Sequence, residues 1–397
     1  MLSVAEAVAK VVSGFAPLAV ETVGLEAALG RALARDVAAQ LDSPPLDVSA
    51  MDGYALRAAD ATAVPATLTR IGQSAAGHPF AGAVGAGQCV RIFTGAVMPA
   101  GADAIVIQED AEAAGDAITV REAPRSGRWV RRAGMDFRRG DVMLRAGRRL
   151  TGRDIGLAAA MNVPWLAVAR RPRVAILATG DELVMPGEPL AEGQIVGSNS
   201  LAVAAYVTAF GGLPAVLGIA RDTEESLAAL LAGARGADLL VTIGGASVGD
   251  HDLVRQALAA QGFDLGFYRV AMRPGKPLIF GRLGDVPVLG LPGNPVSVGV
   301  TSLLFLRPAM NAMLGLPDRQ GPAPMARLGR DLPANDLRQD YLRSRLTVGE
   351  DGEPVATPFE AQDSALMARF ADADCLVVRP PHAPAALAGE RVEIVPL

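Results

Sequence analysis

The segment DLLVTIGGASVGDHD (238–252) constrains this chain more than any other. Leu239–Ile243 is an unbroken run of strand formers that leads directly into Gly244-Gly245, a hydroxyl at Ser247 and acids at Asp250 and Asp252. A strand without a polar face has to be buried on both sides, and successive glycines leave it through backbone conformations closed to other residues. The same rhythm surrounds it. Strands at Arg173–Ala178, Pro214–Ile219 and Leu239–Ile243 alternate with helices at Ser200–Phe210, Glu224–Ala234 and Leu253–Gln261. Two more strands, PLIFG and PVLGL, lead to a helix from Pro295. This alternation predicts a doubly wound, mostly parallel sheet covered on both faces. Ligands of such sheets bind beyond the carboxyl ends of the strands.

Outside this region the pattern changes. Residues 3–13 read as a helix, and 25–36 as a second, before Pro44-Pro45 breaks the periodicity. From 46 to 140 the runs GQCVRIFTG, DAIVIQED and AITVREA read as short strands bounded by Gly, Pro or Asp. Thr151 is a plausible cap for the helix TGRDIGLAAAMN, with Asp154 three residues on. Pro-rich sequence over 317–334 reads as a linker, and strand signals continue from 340 to the end. The chain is therefore expected to be a multidomain α/β and β protein. A central α/β domain would take 1–20 with 171–318. A small linking α/β domain would take 21–40 with 141–170, a β-rich domain 41–140, and a C-terminal β domain 319–397.

Composition narrows the function. A net charge of −5 argues against bulk nucleic-acid binding. Cys89 and Cys375 form no CxxC pattern, so a reducing cytoplasm fits and a thiolate metal site does not. His78, His251 and His382 are scattered, which leaves a hard, oxygen-ligated cation such as Mg²⁺ as the expected metal. No uncharged apolar run reaches membrane-spanning length, so no membrane partner is expected. Serine-hydrolase, P-loop and GxGxxG signatures are all missing.

What remains is a set of loops rich in small residues, hydroxyls and carboxylates. In the segment containing Gly244, Gly245 and Ser247, backbone N–H groups at a helix start favour an anion, and Asp250 and Asp252 could hold a bridging cation or merely cap the helix. In ATGDEL (178–183), Asp181 and Glu182 read either as helix-start acids or as ligands of a cation or ribose. SAMDGY (49–54) could be a simple Asp-Gly turn. In LPGNPVS (291–297), Asn294 caps a helix whose first residue is Pro295. RVAMRPGKP (269–277) gathers Arg269, Arg273 and Lys276 in one bend, either as solvated surface or as an oxyanion site.

These loops, in this order, resemble the molybdopterin molybdenumtransferase family, the bacterial relatives of the gephyrin E domain. The matching stretches are SAMDGYAL (49–56), FTGAVMPAGADAIVIQED (93–110), RRAGMDFRRGD (131–141), ATGDELV (178–184), GGASVGDHD (244–252), RPGKP (273–277) and GLPGNPVS (290–297). The C-terminal AQDSALMARFADADCLVV (361–378) is similar more loosely. The resemblance implies insertion of molybdenum from molybdate into adenylylated molybdopterin, giving molybdenum cofactor and AMP with the help of Mg²⁺. It implies cleft roles for Asp52, Thr94, Asp136, Glu182, Asp222, Asp250 and Asp252, with Asp222 and Asp252 assigned to Mg²⁺ and the pyrophosphate region. It implies an elongated homodimer in which Asp52 and Asp136 reach the partner's cleft. Arg273, Lys276 and Ser364, with Arg343 as a fourth, resemble molybdate-binding positions. Contacts with the adenylyltransferase that supplies the substrate and with molybdoenzymes that accept the product are implied as well. Ala246 and His251 depart from the common Val and Tyr, and Arg269 and Arg273 replace frequent lysines, which changes a point charge into a fork.

Two other readings compete. A molybdopterin adenylyltransferase shares the α/β domain but is about half this length and lacks the β-rich domain. A non-catalytic molybdopterin-binding scaffold would have no need of the intact set of acids.

Overall fold

A computed structural model describes residues 1–244, 259, 261–317 and 323–397. The predicted Leu253–Gln261 helix, apart from Ala259 and Gln261, lies outside them, as do Gly245, Ser247, Asp250 and Asp252.

The central sheet has six strands in the order Leu213–Ala220, Arg173–Thr179, Leu239–Ile243, Val286–Leu291, Pro277–Leu283, Phe263–Arg269. The first four run parallel to one another, as the sequence predicts. The last two pairings are antiparallel. The reason is local: Gly284, at φ +57, and Asp285 turn the chain straight back between Leu283 and Val286, which leaves no room for a crossover helix. Helices cover both faces. On one side Val203, Val207, Phe305 and Met310 pack against Val174, Ile176 and Val241. On the other, Leu227 and Leu231 pack against Ala175, Leu177 and Leu240. Pro295–Met313 is long and apolar enough to cross a membrane, but 78% of it is buried, as suits the core helix of a globular domain. It includes a π-helical stretch, Ser302–Leu306.

The N-terminal Val4–Ser13 helix and the Gly152–Ala160 helix form as read. Each begins with a reciprocal capping box, Ser3 with Glu6 and Thr151 with Asp154. The expected helix over 25–36 does not form. Leu25–Ala27 makes one 3₁₀ turn, and Gly30, at φ +74, breaks the chain away. Its apolar spacing is still used, because Ala28 and Leu33 fill a core with Phe137, Leu144, Leu150 and Met161.

Between 53 and 120 a six-stranded mixed sheet runs Ala104–Ile107, Gly53–Leu56, Gln88–Ile92, Ala66–Ser74, Ala117–Val120, Ala111–Ala114. At the C-terminal end, Gln339–Val348 pairs with both Pro354–Pro358 and Cys375–Arg379, which closes the strands into a barrel. The stretch read as a linker supplies one barrel strand, Met325–Leu328, whose Ala326 and Leu328 enter the barrel core. Four residues of alternation among prolines were too short a signal. The barrel also carries a visiting strand: Met272–Arg273, from the central region of the chain, pairs with Gln339–Asp340.

Candidate active site

The parallel strands all end at the same edge of the central sheet, and the loops that follow them build one cleft of about 980 Å³. Gly180 and Glu182 follow Thr179, Asp222 follows Ala220, Gly244 follows Ile243, and Pro292 to Asn294 follow Leu291. Antiparallel pairing has a consequence here. Because Pro277–Leu283 runs the other way, its N-terminal flank, with Arg273 and Lys276, arrives at that same edge. The barrel closes the far side with Gln362, Asp363 and Ser364.

The acidic end gathers Asp181, Glu182 and Asp222. Asp181 Oδ1 accepts a hydrogen bond from the Asp222 backbone N–H (3.2 Å). Partial burial raises the Asp222 carboxyl above its ordinary value, and the negative charges of Asp181 and Glu182 raise it further. Gly244 is at φ +92, and a Cβ there would stand 2.8 Å from the Thr179 carbonyl oxygen. Only glycine lets the strand turn away so close to its neighbour.

The basic end is organised differently. Arg273 Nε donates to Asp340 Oδ1 (2.9 Å), and its NH2 also bonds the Asp340 carboxylate. This pairing raises the Arg273 pKa. Lys276 has no ion-pair partner among the described residues. Asn294 is at the N-cap position but does not cap. Its side-chain amide donates instead to Ser364 Oγ (2.8 Å), on the barrel loop that lies within reach. The Val296 N–H donates to the Ser364 carbonyl (3.1 Å). Asn199, the first residue of the Asn199–Ala209 helix, donates to the Gly293 carbonyl (2.6 Å) and holds that loop in place.

Arg343 does not line the cleft. It is fully buried, and none of its three guanidinium nitrogens has a hydrogen-bond partner among the described residues. Burial lowers its pKa. Gln362, which does line the cleft, clamps the Arg343 backbone by accepting from its N–H (3.0 Å) and donating to its carbonyl (3.0 Å). A buried polar group without a partner is costly.

Other expected residues lie away from this cleft. Arg269 is exposed, with its guanidinium 5.1 Å from the Tyr268 ring centre. Asp52, Thr94 and Asp136 do not line the cleft of their own chain. Asp52 Oδ1 accepts from the Thr94 N–H (2.7 Å) and Oγ1 (2.9 Å), which lowers its carboxyl pKa. Asp136 is exposed. Cys89 and Cys375 are buried, which pushes both thiols up to about 11 and removes them as nucleophiles. Among the described residues no three metal-ligating side chains converge. Carboxylate oxygens such as those of Glu182 and Asp222, which line the cleft, are the donor type that suits a hard cation.

Sequence reasoning missed Asp340. It lies 67 residues from Arg273, with no motif around it.

The MoeA N-terminal region (domains I and II) matches residues 2–162, the probable molybdopterin binding domain matches 175–312, and the MoeA C-terminal region (domain IV) matches 325–397. The molybdopterin molybdenumtransferase of Haemophilus influenzae is 34% identical over 96% of this chain and 94% of its own length. That of Nostoc sp. is 41% identical over 75% of this chain and 70% of its own. A molybdopterin biosynthesis MoeA protein from Pyrococcus horikosii, of known crystal structure, superposes with a TM-score of 0.85 at 32% identity, covering 100% of this chain and 99% of that one. With relatives of this similarity along nearly its whole length, the chain belongs to the molybdopterin molybdenumtransferase family, a family of enzymes.

Proposed function

We propose that this enzyme of molybdenum cofactor biosynthesis takes molybdate and adenylylated molybdopterin as substrates and yields molybdenum cofactor and AMP. The observation that carries the reading is one cleft lined by both carboxylates and basic and hydroxyl side chains. Glu182 and Asp222 face Arg273, Lys276 and the Asn294–Ser364 pair across it. A pterin nucleotide would lie between them, its phosphates near the Gly244 turn. Molybdate would sit at the basic end, with Lys276 and Arg273 supplying positive charge, Ser364 a hydroxyl, and Arg343 the buried charge behind them.

Asp222, with Asp252, would hold Mg²⁺, which when bound neutralises charge developing on the phosphoanhydride. Asp222 and Glu182 orient the nucleotide end. Arg273 and Lys276 offset the charge of the oxyanion while the phosphoanhydride is cleaved. Asp52, Thr94 and Asp136 do not line the cleft of their own chain, and a homodimer in which each subunit completes the other's site would give them their place. Cytoplasmic location accords with the two unpaired, buried cysteines.

The test is AMP release from adenylylated molybdopterin by the purified protein, with and without molybdate and Mg²⁺. Release that needs both, with molybdenum appearing in the pterin product, is the expected result. A folded protein that binds the nucleotide and releases no AMP would instead be a molybdopterin-binding scaffold.

A further inference from the structure

Asp340 has no assigned part in the reaction, yet it makes the closest contacts of the cleft's most elaborate side chain. Arg273 belongs to the Met272–Arg273 strand, which leaves the central sheet and pairs with the barrel, with Arg273 opposite Asp340 in register. The Asp340 side chain is 6% exposed and that of Arg273 49%. The carboxylate is therefore buried on the barrel side and takes Nε and NH2 of the fork. The third nitrogen, NH1, stands 3.5 Å from Asp336 Oδ2. Asp336 is itself held by Arg338, through the guanidinium (2.8 Å) and the backbone N–H (2.8 Å).

We propose that Asp340 is a positioning residue that fixes the Arg273 guanidinium in one orientation at the basic end of the cleft, where the oxyanion would bind. This rests on the oxyanion reading of the basic end given above. Two arguments support it. A lone arginine on a bend has many rotamers, and a two-point grip on one edge of a planar fork removes that freedom before the ligand arrives. Charge alone does not explain the arrangement. Arg273 and Arg338 are balanced by Asp336 and Asp340, so the cluster is neutral and Lys276 is left to supply net attraction. What the cluster adds is geometry. A lysine at 273 would meet Asp340 as a point charge and could not be gripped along an edge. The grip also joins two parts of the fold, because Ser364 and Gln362 reach the cleft from the same barrel that carries Asp340.

Titration of the full-length protein with sodium molybdate, alone and during AMP release, tests this. Asp340→Asn and Asp340→Glu should both raise the molybdate half-saturation about tenfold, the order expected for losing one charge-assisted hydrogen bond. Affinity for the adenylylated pterin should stay near the parent value, while the melting temperature falls because a buried ion-pair partner is altered. Asp340→Glu is the decisive variant, because it keeps the charge and shifts the grip by one methylene. If it behaves like the parent, or if Asp340→Asn binds molybdate more tightly, Asp340 acts through charge and the proposal is wrong. Should either variant fail to fold, Arg273→Lys gives the independent check: it should raise the half-saturation by a similar factor without touching the buried carboxylate. Parent-like binding by Arg273→Lys overturns the positioning role. If Arg273→Ala and Lys276→Ala both bind molybdate like the parent, the oxyanion reading itself fails. If they lose binding while both Asp340 variants keep it, only the positioning role fails.

Discussion

The side-chain amide of Asn294 donates to Ser364 Oγ at 2.8 Å, so a residue at the start of the central core helix is bonded to a loop of the C-terminal barrel. This bond orients the serine hydroxyl at the basic end of the cleft, and it replaces the capping role that position would otherwise have.

Removing it should therefore affect substrate more than fold. Asn294→Ala should cost about 1 kcal/mol or less of stability, since a partly exposed hydrogen bond contributes little net. The molybdate half-saturation should rise several-fold, with turnover at saturating molybdate less changed. Molybdate dependence of AMP release, measured beside the melting temperature, checks both parts. A loss of stability without change in half-saturation would restore a purely structural role.

Arg343 should trade stability for function. Its buried guanidinium has no partner among the described residues, so Arg343→Met should raise stability by about 1–3 kcal/mol, the cost of leaving such a group unmade. The same change should weaken molybdate use by about tenfold or more. Calorimetric melting and molybdate titration give the two readouts. A destabilised variant with normal molybdate use would show that Arg343 is a structural group.

Subunit mixing tests the shared cleft. Asp52→Asn and Glu182→Gln should each be inactive alone. After unfolding and joint refolding, the mixture should recover about a quarter of parent activity, because half the dimers are mixed and each holds one complete cleft of two. No recovery above the separate variants would place Asp52 and Glu182 in the cleft of the same chain.

Acid stability should report the cluster around Arg273. The Arg338 guanidinium and backbone N–H hold the Asp336 carboxyl down to about 2, from an ordinary 3.8. A depressed carboxylate stabilises the fold above its unfolded value and loses that contribution as pH falls through its folded value. Asp336→Asn should thus melt below the parent at about pH 6, and the gap should close between 3.8 and about 2. Melting curves across that range settle it. A gap that persists at the acid end would assign the effect to packing.

Much of this protein was legible without coordinates. Leu239–Ile243 read as a buried strand, Thr151 with Asp154 as a plausible helix cap, and the loops after the strands as meeting at one edge. Those features depend on local chemistry: apolar runs, side-chain caps, and glycines at positive φ such as Gly244. The tertiary structure decided the rest. It showed that 25–36 spends its helical spacing on an irregular core, that Met325–Leu328 is a barrel strand, and that Asn294 bonds Ser364 rather than its own helix. It alone joined Arg273 to Asp340, 67 residues away. Such pairings follow from sheet register and chain closure across long separations, which no short window of sequence encodes.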